Sequence, residues 1–226
     1  MGDFTDMATR LQQSDAVQNL SAPMQTALFM GALTLLPAAL VTMTSFTRIV
    51  IVLSFVRRAV TSQDIPPNLV ITGLSLFLTM YTMGPTLAEV GDKAITPYLD
   101  KKIEGAAALR AGIAPLETFM LRQTRRQDLA LFLHLAGMDS VQEPADTPFR
   151  VLVPAFVISE LKTAFIMGFC IYLPFLLVDL VVSSVLTSMG MIMMPPVLIS
   201  APFKVLLFVL ADGWHLVARA LTASFA

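Results

Sequence analysis

The sequence predicts an all-α, membrane-associated protein built as two long helical hairpins flanking a polar helical insert. Three observations carry this reading. Of the 226 residues, 56% are hydrophobic and 14% charged, whereas a soluble domain usually carries about 25% charged residues. The mean hydropathy of +0.74 agrees. The apolar residues gather into four runs, each about long enough to cross some 30 Å of hydrocarbon as a helix. The charges gather between the second run and the third.

Residues 1–22 form a polar lead-in, MGDFTDMATRLQQSDAVQNLSA, with Arg10 as its one basic residue. It lacks the basic and apolar regions of a signal peptide. Residues 23–88 form the first hairpin. Its first run, Met24 to Val56, holds a single charge, Arg48, and its second, Leu69 to Leu87, holds none. Between them lie Arg57, Arg58, Asp64 and a Pro66-Pro67 pair. Residues 89–150 form the insert. The interval Ala88 to Arg150 holds eight basic and nine acidic residues, so it faces water. Within it Pro115 to Ala136 spaces its apolar residues as an amphipathic helix does. Residues 151–226 form the second hairpin, whose runs Val151 to Met189 and Met191 to Ala211 are separated by a methionine-rich turn. Pro195-Pro196 follows that turn, and proline suits the first turn of a helix. The arginines in the first hairpin's turn favour a cytoplasmic turn, which puts the insert and both termini on the periplasmic side.

Ionisable residues inside apolar runs need partners, because each costs on the order of 3 kcal/mol at the centre of a membrane-inserted helix. The set is Arg48, Glu160, Lys162, Asp179 and Lys204. Glu160 and Lys162 stand two apart, about 200° around a helix, so they cannot share a face. Lys204 is the natural cation for Glu160, across the hairpin or between subunits. Several function classes drop out. A net charge of −1 and the absence of a basic run argue against nucleic acid. Cys170 is the only cysteine, which leaves no disulfide and no thiolate zinc site. His134 and His215 stand outside any catalytic motif, so no catalytic residue, metal or cofactor is expected. A small-molecule or ion transporter remains open from composition alone, as does a purely structural scaffold.

Six ordered blocks then narrow the field: MTSFTRIVIVLSFVRRA (Met43 to Ala59), FMLRQTRRQDLALF (Phe119 to Phe132), VPAFVISELKTAF (Val153 to Phe165), PFLLVDLVVSSVL (Pro174 to Leu186), GMIMMPPVLISAPFK (Gly190 to Lys204) and LFVLADGW (Leu207 to Trp214). They resemble the FliP family of flagellar export-gate subunits, whose counterpart in virulence injectisomes is the SctR family. The wording of the second block favours the flagellar branch. The resemblance implies a non-enzymatic pore subunit in the bacterial inner membrane, within the flagellar basal body. It implies about five copies of the chain, a small FliQ-like hairpin subunit, a related larger FliR-like subunit, and unfolded secreted proteins as cargo. Phe119 and Phe132 fall in a resembling block and are candidate subunit contacts, although a helix covering its own core explains them equally well. Met191, Ile192, Met193 and Met194 are the candidate gate. Several such loops converging on an axis would form a compliant apolar gasket, since methionine is unbranched and fills irregular gaps. A methionine-rich helix end in ordinary core is the alternative.

Overall fold

The computed structural model describes residues 41–60, 65–138, 147–191 and 193–225, with a few isolated positions between 30 and 38. These residues are helical almost throughout, with no strand among them. In chain order the helices are α1 (Phe46–Val60), α2 (Asn68–Val90), a π-helical turn (Gly91–Ile95) leading into α3 (Thr96–Leu99), α4 (Gly105–Gln123), α5 (Arg126–Leu135), α6 (Phe149–Ser188), α7 (Pro196–Leu210) and α8 (Gly213–Ala223). Two compact units share them. One takes Met83–Glu160 with the stretch up to Ser45, and the other takes Phe46–Thr82 with Leu161–Ala226.

Two helical stretches are long and apolar enough to cross a membrane, Asn68–Leu99 and Phe149–Ser188. A third emerges if α7 and α8, bent by 62°, count as one broken span. The 40 residues of α6 extend about 60 Å, roughly twice the hydrocarbon thickness. The helix built on the second apolar run outlasts that run, which ends at Leu87. The helix continues through the π turn to Leu99, and Glu89 and Lys93 form an i,i+4 ion pair of 2.7 Å on its surface.

The insert-bearing unit packs α4 against the π turn, where Gly112 approaches so closely that an added Cβ would lie 3.3 Å from Ala94 Cβ. Its core includes Met120, Leu152 and Phe156, all fully buried, with the Phe119 and Phe156 rings edge to face at 5.9 Å. The α4–α5 junction is tied to α6 by a side chain: Arg125 N–H donates to Ser159 Oγ at 2.9 Å. Glycine closes α5. Gly137 (φ 67°) donates to the His134 carbonyl and Met138 N–H to that of Leu133, the paired bonds of a Schellman cap.

The other unit buries Ile49, Val52, Leu53 and Val56 on one face of α1. Phe55 packs edge to face on Phe165 at 5.5 Å, and its ring covers Gly168. An added Cβ at Gly168 would lie 2.5 Å from that ring. Gly168→Ala should therefore destabilise the protein by about 1–3 kcal/mol, the usual range for overpacking. The unfolding midpoint in detergent measures this, and a second change, Phe55→Leu, should recover part of the loss. Five hydroxyl groups along the long helices bond within their own helix: Ser75 donates to the Ile71 carbonyl, Thr79 to Ser75, Thr82 to Leu78, Thr187 to Ser183 and Ser188 to Ser184, at 2.7–3.0 Å.

Candidate functional site

The methionine turn sits between two well-defined helix ends. At the end of α6, Gly190 adopts φ 75°, its N–H donates to the Thr187 carbonyl, and Met191 N–H donates to that of Leu186. This is again a Schellman cap, with glycine at the left-handed position. At the other side Pro195 caps α7 and Pro196 is its first residue, as the double proline predicts. The turn presents its side chains outward. Met193 is 99% exposed, and Met191 and Met194 are more than a third exposed. Ile192 lies outside the described residues. Three flexible apolar side chains thus stand at the tip of a hairpin whose helix α6 leaves most of its apolar stretch unburied.

Some two to three helical turns from this tip, α6 and α7 are cross-linked by charge. Lys204 Nζ lies 2.6 Å from Asp179 Oδ2, and Ser200 Oγ donates to Asp179 Oδ1 at 2.5 Å. Both carboxylate oxygens are therefore engaged. Asp179 supplies the carboxylate to Lys204 here, the role offered above to Glu160. The Lys204 side chain is 8% exposed and that of Asp179 31%, so the cation is the more deeply buried partner. The Ser200 contribution escaped the sequence reading, although Ser200 and Lys204 stand at i,i+4, the spacing that aligns two side chains on one helix face.

The remaining charges separate by environment. Arg48 is buried in α1 and donates through Nη1 to the carbonyl (2.9 Å) and hydroxyl (3.0 Å) of Ser224, while its guanidinium stacks 3.9 Å from the centre of the Phe225 ring. Glu160 is fully buried in the insert-bearing unit, whereas Lys162 is exposed in the other. That split matches the 200° separation of the two positions. Phe119 is 3% exposed and spent on Phe156 of its own unit, while Phe132 is half-buried.

In the insert, burial pushes the Glu117 carboxyl above its usual value of 4.5. As pH rises, the unfolded chain loses this proton first, so the folded state binds more protons in the window just above 4.5 and stability falls through it. Glu117→Gln should remove that slope, giving a protein more stable than wild type at neutral pH and equal to it well below pH 4.5. Thermal unfolding across that range is the measurement. Among the described residues no group of three His, Cys, Asp or Glu side chains could hold a metal ion.

The elements above define an all-α, membrane-associated protein with apolar spanning helices and an exposed methionine-rich hairpin tip. The family model described as the FliP family matches residues 29–221. Curated relatives agree. The flagellar biosynthetic protein FliP of Bacillus subtilis (strain 168) is 50% identical over 208 residues, covering 92% of this chain and 94% of that protein. Its counterpart from Pectobacterium carotovorum is 52% identical over 208 residues, covering 92% and 81%. That of Aquifex aeolicus is 47% identical over 209 residues, covering 92% and 87%. The chain belongs to the FliP family.

Proposed function

We propose that this chain is a non-enzymatic core subunit of the flagellar protein export gate, forming with its neighbours a closed central pore through which unfolded flagellar proteins are secreted across the inner membrane. The observation that carries the reading is the second hairpin. Its helices are apolar almost all round, α6 is too long for one bilayer to cover, and its tip bears exposed methionines. So much bare apolar surface calls for protein neighbours. Similarity to proteins named for flagellar biosynthesis supports the same role.

In this reading about five copies assemble with FliQ-like and FliR-like subunits in the inner membrane, within the basal body, with the insert and termini periplasmic. The 1–22, 23–88, 89–150 and 151–226 segments act as lead-in, first hairpin, insert and gate-bearing hairpin. Met191, Ile192, Met193 and Met194 of successive copies meet as the seal. Arg48, Glu160, Lys162, Asp179 and Lys204 set register within or between subunits, and Phe132 is the phenylalanine left with surface to offer a neighbour.

The test is the native mass in mild detergent, with the chain produced alone and with its FliQ-like and FliR-like membrane partners. A discrete ring near five times 24.6 kDa that grows on adding the partners supports the gate. A monomer or dimer indifferent to them, carrying solute flux by itself, overturns it in favour of a transporter. Given such a ring, changing Met191, Met193 and Met194 together to alanine should leave assembly intact, because none is in the core, and should open an ion leak measurable as conductance in planar bilayers. A sealed alanine variant would remove the methionines from the gate.

A further inference from the structure

Helix α5 satisfies its far end by itself and borrows at its start. Beyond Leu135, the paired bonds through Gly137 and Met138 serve its last carbonyls. The end of α4 is equally local: the Met120 carbonyl accepts the Thr124 N–H at 2.9 Å and the Thr124 hydroxyl at 2.7 Å. The start of α5 differs. Thr124 and Arg125 are extended, and Arg125 occupies the cap position with no side-chain oxygen to offer. Its N–H goes to Ser159 Oγ of α6, 34 positions away, and the Ser159 hydroxyl in turn donates to the Gln123 carbonyl at 3.5 Å. One side chain of α6 thus bridges the break between the two helices.

A second acceptor for the same N–H lies within α5. Asp128 is the third residue of the helix, the position from which an acidic side chain reaches back to the N–H of the cap residue. With that N–H given to Ser159, Asp128 is only 8% exposed and its Oδ2 meets no donor among the described residues. A buried carboxylate oxygen without a partner is costly. Little else holds α5 in place, because Asp128 and Leu129 are the only residues it buries, and Leu131 and Leu135 are exposed.

We infer that Asp128 is a reserve cap that lets α5 swing away from α6 as an intact helix. The swing turns on the extended Thr124–Arg125 link while α4 stays packed through Phe119 on Phe156. The Arg125 N–H leaves Ser159 and passes to the Asp128 carboxylate, so the unpartnered oxygen gains a donor and the helix keeps a cap. A ten-residue helix needs that support, since isolated helices shorter than about 12 residues are marginal in water. Leaving costs the burial of Leu129, and staying costs the unpartnered oxygen. The two costs are of the same order, as a strap that opens locally requires. All of these groups belong to the insert-bearing unit, so the strap is independent of the gate.

Thiol labelling at position 129 reads the swing directly. Leu129→Cys in a Cys170→Ser background gives the full chain a single cysteine, buried while α5 is docked. A water-soluble maleimide, applied to the folded chain in mild detergent, should label it at a measurable rate. Adding Asp128→Ala should slow labelling about tenfold, the weight of a lost cap on the swung helix. Adding Ser159→Ala should speed it, because the docked position loses its tie. The sign is decisive, since an ordinary stabilising role for Asp128 makes labelling faster in Asp128→Ala. Faster or unchanged labelling in Asp128→Ala, slower or unchanged labelling in Ser159→Ala, or no labelling of the folded parent overturns the inference. Should Leu129→Cys not fold, Leu133→Cys on the same helix starts from a half-buried position and carries the same comparison. Native mass has no part in this readout, so the failure of this proposal and that of the gate are separately visible.

Discussion

Asp179→Ala is expected to destabilise the protein by about 3–5 kcal/mol, because it leaves the Lys204 ammonium buried without its counter-charge. Lys204→Ala should cost less, on the order of 1–3 kcal/mol. It leaves a carboxylate that is 31% exposed and still accepts the Ser200 hydrogen bond. The asymmetry is the informative part: a pair valued only for its mutual attraction would lose the same amount from either side. The double change Asp179→Ala with Lys204→Met removes both charges and should be milder than Asp179→Ala alone. Unfolding midpoints of the three variants in detergent decide this. Equal losses for the two single changes would mean that the burial difference has no energetic weight.

Arg48→Met should cost about 3 kcal/mol. It removes two charge-assisted hydrogen bonds to Ser224 and the cation–π contact with Phe225, while keeping most of the apolar stem. The loss should be local before it is global. The Arg48 guanidinium ties the turn after α8 to α1, alongside the burial of Leu221 and Phe225. Carboxypeptidase should therefore release the last residues of the variant faster than those of the wild type under conditions where both remain folded. Arg48→Lys, which keeps the charge but not the planar fork, should fall between the two. Unchanged release from Arg48→Met would show that packing alone secures the turn.

Much of the architecture was legible because apolar runs and proline pairs are local signals. Pro196 opens α7 where the double proline predicts, whereas the single amphipathic helix predicted from Pro115 to Ala136 is two helices, α4 and α5, broken where Thr124 and Arg125 turn to extended backbone. Other features depend on contacts that one sequence does not display. The helical stretch from α2 through the π turn passes Glu89, Asp92 and Lys93 because the charges lie on its surface, whereas a change in composition reads as the end of a span. The first run reads as continuous to Val56, yet its helix is interrupted at the buried Thr44 and Ser45, between helical residues 41–43 and α1. The partner of Lys204 stands 25 positions away and is set by the register of two antiparallel helices, which no periodicity encodes. The bend at Asp212 had a visible signal in the Asp-Gly pair of LADGW, a common helix breaker. The candidate gate was legible as a composition, and its exposure was not.

The hydroxyl groups of the long helices have a consequence for how such a chain waits in the membrane. Ser75, Thr79, Thr187 and Ser188 each return their proton to a carbonyl one turn back, so their donors need no partner on a neighbouring helix. A newly inserted chain can therefore turn these faces to lipid without stranding a donor. It can later exchange lipid for protein with no hydrogen bond broken. Polar side chains that bridge helices would commit a chain to one neighbour as soon as it was made; these leave it solvent-indifferent, and the order in which neighbours arrive is free.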